Sequence, residues 1–96
     1  MLKHIVIFKF KGNASESAIA EIEKSLRGLP GIIPEIKEYQ FGRDVLHSER
    51  SYDFALVSGF ESLEKMQHYQ VHPTHQKIVA QLKELSESIL CVDFEM

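Results

Sequence analysis

The stretch YQVHPTHQKI, from Tyr69 to Ile78, sets a tyrosine and two histidines around Pro73. Such a set, with Tyr69 and His75 at its ends, can be an acid/base cluster, a metal site or only the kink between two helices. An unbroken helix would turn them away from each other, since they are six positions apart. Pro73 changes that. A proline disfavours the α conformation in the residue before it, so His72 should leave the first helix. Pro73 can then open a second helix, where its missing N–H costs nothing. Across such a kink both side chains can face one pocket.

Each of these residues also has a purely architectural role open to it. His75 can hydrogen-bond a backbone group and fix the start of the last helix. Tyr69 can bury its ring in the core and satisfy its hydroxyl at the rim. His72 fits a helix-end cap. His4, on an apolar strand, is either a pocket ligand or a satisfied core histidine, and His47 falls in a solvated turn. His68, His72 and His75 have spacings that helical metal ligands use, but Pro73 interrupts the helix between the last two. No acidic or cysteine cluster completes a tetrahedral set, so no metal site is expected. Ser62, Ser86 and Ser88 lack a nucleophile motif, and no glycine-rich phosphate loop is present. No cofactor is expected.

The elements that must position these groups are legible in hydrophobic runs. LKHIVIFKF (Leu2–Phe10) is short, β-branched and aromatic, a strand signature. Ser15 or Asn13 can cap a helix that carries Ile19, Ile22, Leu26 and Leu29 at helical spacing. The segment GLPGIIP, residues 28–34, reads as its end. Two strands follow, Ile36 to Val45 with Gly42 as a bulge or close-approach point, and Tyr52 to Phe60. Ser62 opens the helix bearing Leu63, Met66 and Tyr69. After Pro73, Ile78, Leu82 and Leu85 make an apolar stripe, and SILCVDFEM closes the chain as a strand. The order β-α-β-β-α-β predicts an α+β, ferredoxin-like domain over residues 1–96, with helices on one face of a four-stranded antiparallel sheet.

Ninety-six residues form a thin core, burying roughly 60–65% of the unfolded surface. A partner subunit, a metal or disulfides must add stability. Cys91 is the only cysteine, so no intrachain disulfide forms, and a lone core-facing thiol suits a reducing, cytoplasmic setting. Lys3 and His4 precede only a short apolar run, which does not read as a signal peptide. No segment has the length of a membrane span. A formal net charge of −3, with scattered Lys and Arg, argues against nucleic-acid binding.

An antiparallel sheet with one wet face should alternate apolar and polar residues. The first strand instead has His4, Val6, Phe8 and Phe10 on one side and Ile5 and Ile7 on the other. The third strand has Phe54, Leu56 and Phe60 against Ala55 and Val57, and the last adds Ile89, Leu90, Val92 and Phe94 across both. Burying a large apolar side chain is worth ~1.5–3 kcal/mol. A two-fold homodimer packed sheet to sheet is therefore expected.

KHIVIFKF, YDFALVSGFES, YQVHPTH and VDFE together resemble the stress-responsive A/B barrel (Dabb) family of the dimeric α+β barrel superfamily, over nearly the whole chain. HPTH after FES and a short helix is the most specific element. The resemblance implies a homodimer enclosing a barrel, a role in stress response, and a cavity between sheet and helices in each subunit. It also implies a small apolar or carbonyl-containing ligand. A plant polyketide cyclase of this kind closes a linear tetraketide by an aldol step. Its proposed acid/base pair falls on Tyr69 and His75, and its first-strand histidine falls on His4. A further pocket histidine of that enzyme is replaced here by Phe54, which removes a polar group and partly fills the cavity. Plant stress proteins of the family are associated with a cation beside the loop after the first helix. Residues 28–34 offer only backbone carbonyls there, so no cation is expected. A non-enzymatic stress or interaction module and a cofactor-free monooxygenase are the alternatives. The absence of tryptophan counts against the heme-degrading branch of the latter.

Overall fold

Strand β1 spans Leu2–Phe10, helix α1 Glu16–Ile32, β2 Glu38–Arg43 and β3 Phe54–Phe60. Helices α2 (Leu63–Val71) and α3 (Pro73–Leu85) follow, and β4 (Ser86–Glu95) ends the computed structural model, which describes residues 1–96. The strands form one antiparallel sheet in the order β2-β3-β1-β4, a ferredoxin-like α+β fold. β1 lies inside the sheet, with Val6 opposite both Leu56 of β3 and Cys91 of β4.

Ser15 caps α1 by accepting from the Ala18 N–H at 3.2 Å. The helix ends within residues 28–34, where the glycines and prolines predict. It runs through Pro30 to Ile32. Leu26, Leu29 and Ile33 are each 1% exposed or less, so burial of the last turns outweighs the one backbone bond that Pro30 cannot donate. Gly42 is neither a bulge nor a point of close approach. It pairs in register with Ala55, and the irregularity in the sheet lies instead between Lys9 and Phe10 against β4. Asp53 holds that end of β1. Its N–H donates to Phe8 O, and its Oδ2 accepts from Phe10 N, both at 2.8 Å.

One sheet face carries the helices. Phe8, Phe54, Leu56 and Phe60 of that face bury against Leu26, Leu29, Met66, Ile78 and Leu82, while Leu63 in the first turn of α2 stays exposed. Residues directly opposite on paired strands share a face. Ile5 therefore aligns with Val57 and Val92, and Ile7 with Ala55 and Leu90, on the far side. No element of the chain covers that side, and Leu90, Val92 and Phe94 are 52, 61 and 41% exposed.

Candidate functional site

The kink after Tyr69 is built by one residue. His72 is extended (φ −63°, ψ 132°), ends α2, and its Nδ1 accepts from the Thr74 N–H at 3.2 Å to cap α3. Pro73 takes the first position of α3. Tyr69 and His75 flank this elbow symmetrically, and their ring centroids come within 4.0 Å. Both the capping role of His72 and the backbone contact of His75 match the sequence reading.

The Tyr69 side chain is fully buried, with its ring 5.0 Å from Phe60 and edge-on to His4 at 6.3 Å. Its hydroxyl has no protein group within hydrogen-bonding reach. Burial raises its pKa well above that of an ordinary phenol, so the hydroxyl keeps its proton and is a donor without an acceptor. His75 Nδ1 lies 3.2 Å from the Gln70 carbonyl. A carbonyl only accepts, so Nδ1 carries the hydrogen and Nε2 carries the lone pair. Burial holds the His75 pKa below the usual histidine value, and nearby His4 and His72 add to this against the opposing Gln70 carbonyl. His75 is thus a neutral base at physiological pH.

His4 lies below this pair on β1 and is 5% exposed. Its Nδ1 bonds the carboxylate of Asp93, the residue directly opposite on β4. A carboxylate also only accepts, so this bond fixes the Nδ1–H form and leaves Nε2 free. Asp93 was not among the residues the sequence singled out. Its partner lies 89 positions away, and only the β1–β4 register joins them.

These groups meet at a cavity of about 500 Å³ between the sheet and α3, a size usual for small-molecule sites. His4, Tyr69 and His75 line its polar end, and Phe8, Leu26, Leu56, Ile78, Leu82 and Ile89 line most of the rest. It opens to solvent beside Gln76, Lys83 and Cys91, all of them exposed. Two sequence expectations change here. Phe54 does not line the cavity. It stacks on Phe41 at 5.6 Å and packs against Phe8 and Phe10, because its place on β3 opposite Phe8 puts it beyond the cavity's end. Cys91 is not a core residue. It faces the open mouth from the edge strand β4, where the helix layer no longer covers the sheet. No group of three or more His, Cys, Asp or Glu side chains gathers in a metal-binding arrangement.

The family model described as the stress responsive A/B barrel domain matches residues 2–96. Olivetolic acid cyclase of Cannabis sativa is 32% identical over 95 residues, which cover 97% of this chain and 94% of that protein. A stress-response A/B barrel domain-containing protein of Arabidopsis thaliana is 29% identical, over 98% of this chain and 88% of the relative. Among solved structures, a dimeric ferredoxin-like protein of unknown function from Thermobifida fusca superposes with a TM-score of 0.90 at 28% identity. That match covers 99% of this chain and 90% of the other.

Proposed function

Because the chain belongs to the stress responsive A/B barrel domain family, we propose that it binds a small carbonyl compound and moves a proton on the carbon beside the carbonyl, chemistry of cyclase or lyase type. One observation carries this reading: Tyr69, buried and protonated with no protein acceptor for its hydroxyl, packs its ring against a neutral His75, and both residues line an apolar cavity. His75 Nε2 takes the proton from the substrate carbon. Tyr69 donates to the carbonyl oxygen as negative charge develops there, which is worth most in a water-poor site. His4 is the second imidazole at this end, and Asp93 orients it and offsets any charge it gains. Phe54, kept outside the cavity by its stacking, supports the site only through packing. The relationship to a cyclase supports the reaction class, and the substrate is left to the chemistry of the cavity.

The same reading includes a homodimer formed across the uncovered sheet face. The aligned Ile5, Ile7, Val57, Leu90 and Val92 supply a continuous apolar surface, and related solved structures are dimeric. The test of the chemistry is hydrogen–deuterium exchange at C3 of 2,4-nonanedione in D₂O, followed by NMR above the buffer rate. Wild-type protein should accelerate exchange, and His75→Ala and Tyr69→Phe should each remove most of the acceleration. Equal exchange by His75→Ala would refute the assignment of the base.

A further inference from the structure

Lys83 is the one Lys, Arg, Asp or Glu among the cavity's lining residues. It makes no ion pair, since no carboxylate oxygen lies within 4.0 Å of its ammonium. It stands on the same helix as His75, eight positions further on, and both line the cavity. At 1.5 Å per residue the two are roughly 12 Å apart along the helix axis. Between them the wall is Ile78, Val79 and Leu82. Along α3 the cavity is therefore lined by His75, with Tyr69 beside it, then by an apolar stretch, then by an unpaired, solvent-exposed cation. It lies on the helix side of the sheet, away from the uncovered apolar face, so pairing of two copies leaves Lys83 accessible.

We propose that the ligand is an amphipathic oxo acid, with its ketone at Tyr69 and His75, its alkyl chain along Ile78, Val79 and Leu82, and its carboxylate on Lys83. This deepens the proton-transfer reading and rests on it for the ketone end. The helix sets the ligand's length. C–C bonds of ~1.52 Å at tetrahedral angles advance ~1.25 Å each in an extended chain, so the ketone and carboxylate are separated by at most roughly ten bonds, fewer where the Lys83 side chain leans back along the helix. The two-bond spacing of 3-oxobutanoate falls well short of that span.

The test is isothermal titration of the intact protein with four probes: 9-oxodecanoate, its methyl ester, nonanoate and 3-oxobutanoate. 9-Oxodecanoate should bind tightest and 3-oxobutanoate weakest. Lys83→Gln should weaken 9-oxodecanoate roughly two- to fivefold, the range for a solvent-exposed ion pair. It should leave the methyl ester unchanged, and the difference should shrink as salt is raised. Lys83→Gln keeps its fold because the side chain is exposed. An ester that binds as well as the acid, a Lys83→Gln protein with wild-type affinity, or no binding of any probe would each overturn the proposal. His75→Ala separates the two readings. If it reduces 9-oxodecanoate binding but not nonanoate binding, both ends stand. If it affects neither while Lys83→Gln weakens both acids, the anion end stands and the ketone end falls.

Discussion

Tyr69→Phe should make the protein more stable and less active. The substitution removes one oxygen and leaves the ring where it is, packed 5.0 Å from Phe60 and 4.0 Å from His75. That oxygen is buried with no protein acceptor in reach. Leaving a buried polar group unsatisfied costs about 1–3 kcal/mol, so its removal should stabilise the fold by about 1–2 kcal/mol. For a domain this small, each kcal/mol corresponds to about 4–8 °C in the melting temperature. Urea unfolding at one fixed protein concentration is the assay, because association contributes to the apparent stability of a dimer. The midpoint should rise while the slope against urea stays constant. Proton exchange on the diketone should fall in the same protein, by roughly 10²–10³ if Tyr69 acts as an oxyanion donor. A midpoint that drops by the equivalent of 1 kcal/mol would mean that the hydroxyl is already satisfied in the resting protein, and the argument for a poised donor would fail.

Three other outcomes can be checked. His75 binds its proton more weakly folded than unfolded, so the unfolded chain holds more protons between the depressed value and about 6.5. Stability should therefore be full above that ordinary value and decline as pH falls through the depressed one, and His75→Gln should flatten this part of a urea-midpoint profile. Exchange activity should decline over the same acid range, because protonated His75 is no base. Val92→Asp places a charge on the apolar face at a 61% exposed position, and sedimentation should show single subunits at micromolar concentration where the wild type sediments as a pair; a wild type that is itself a single subunit would remove the dimer from the reading. Asp53→Ala strips the Phe10 N–H of its acceptor beside the sheet irregularity and should cost about 1–3 kcal/mol in urea unfolding, whereas a change below 0.5 kcal/mol would show that water replaces the carboxylate at roughly no cost.

The strands and helices were legible because each is a run of one period bounded by strong punctuation. Leu2–Phe10 is apolar and β-branched, and Pro73 after His72 marks the elbow between α2 and α3. The same local signals placed the end of α1 within residues 28–34, and burial of Leu29 and Ile33 carries the helix past Pro30 to Ile32 before it stops. Half of the site was legible for the same reason, since Tyr69, His72 and His75 belong to one short segment. Asp93 was hidden because its role depends on a register between the first and last strands. Cys91 was misread because an apolar neighbourhood in sequence says nothing about where the helix layer stops. Phe54 was placed on the correct face, but its distance from the cavity follows from a stacking partner, Phe41, on another strand.

The two halves of the polar end also have different mechanical fates. Tyr69 and His75 are held by the continuous chain of residues 69–75 around an elbow. His4 and Asp93 are held together by the pairing of an outermost strand, whose only neighbour is β1. If the edge of the sheet frays, Asp93 leaves with it and His4 is freed to turn, while Tyr69 and His75 keep their spacing. Amide protection measured along β4 would then report how often the second imidazole loses its orientation, independently of whether the first pair is assembled.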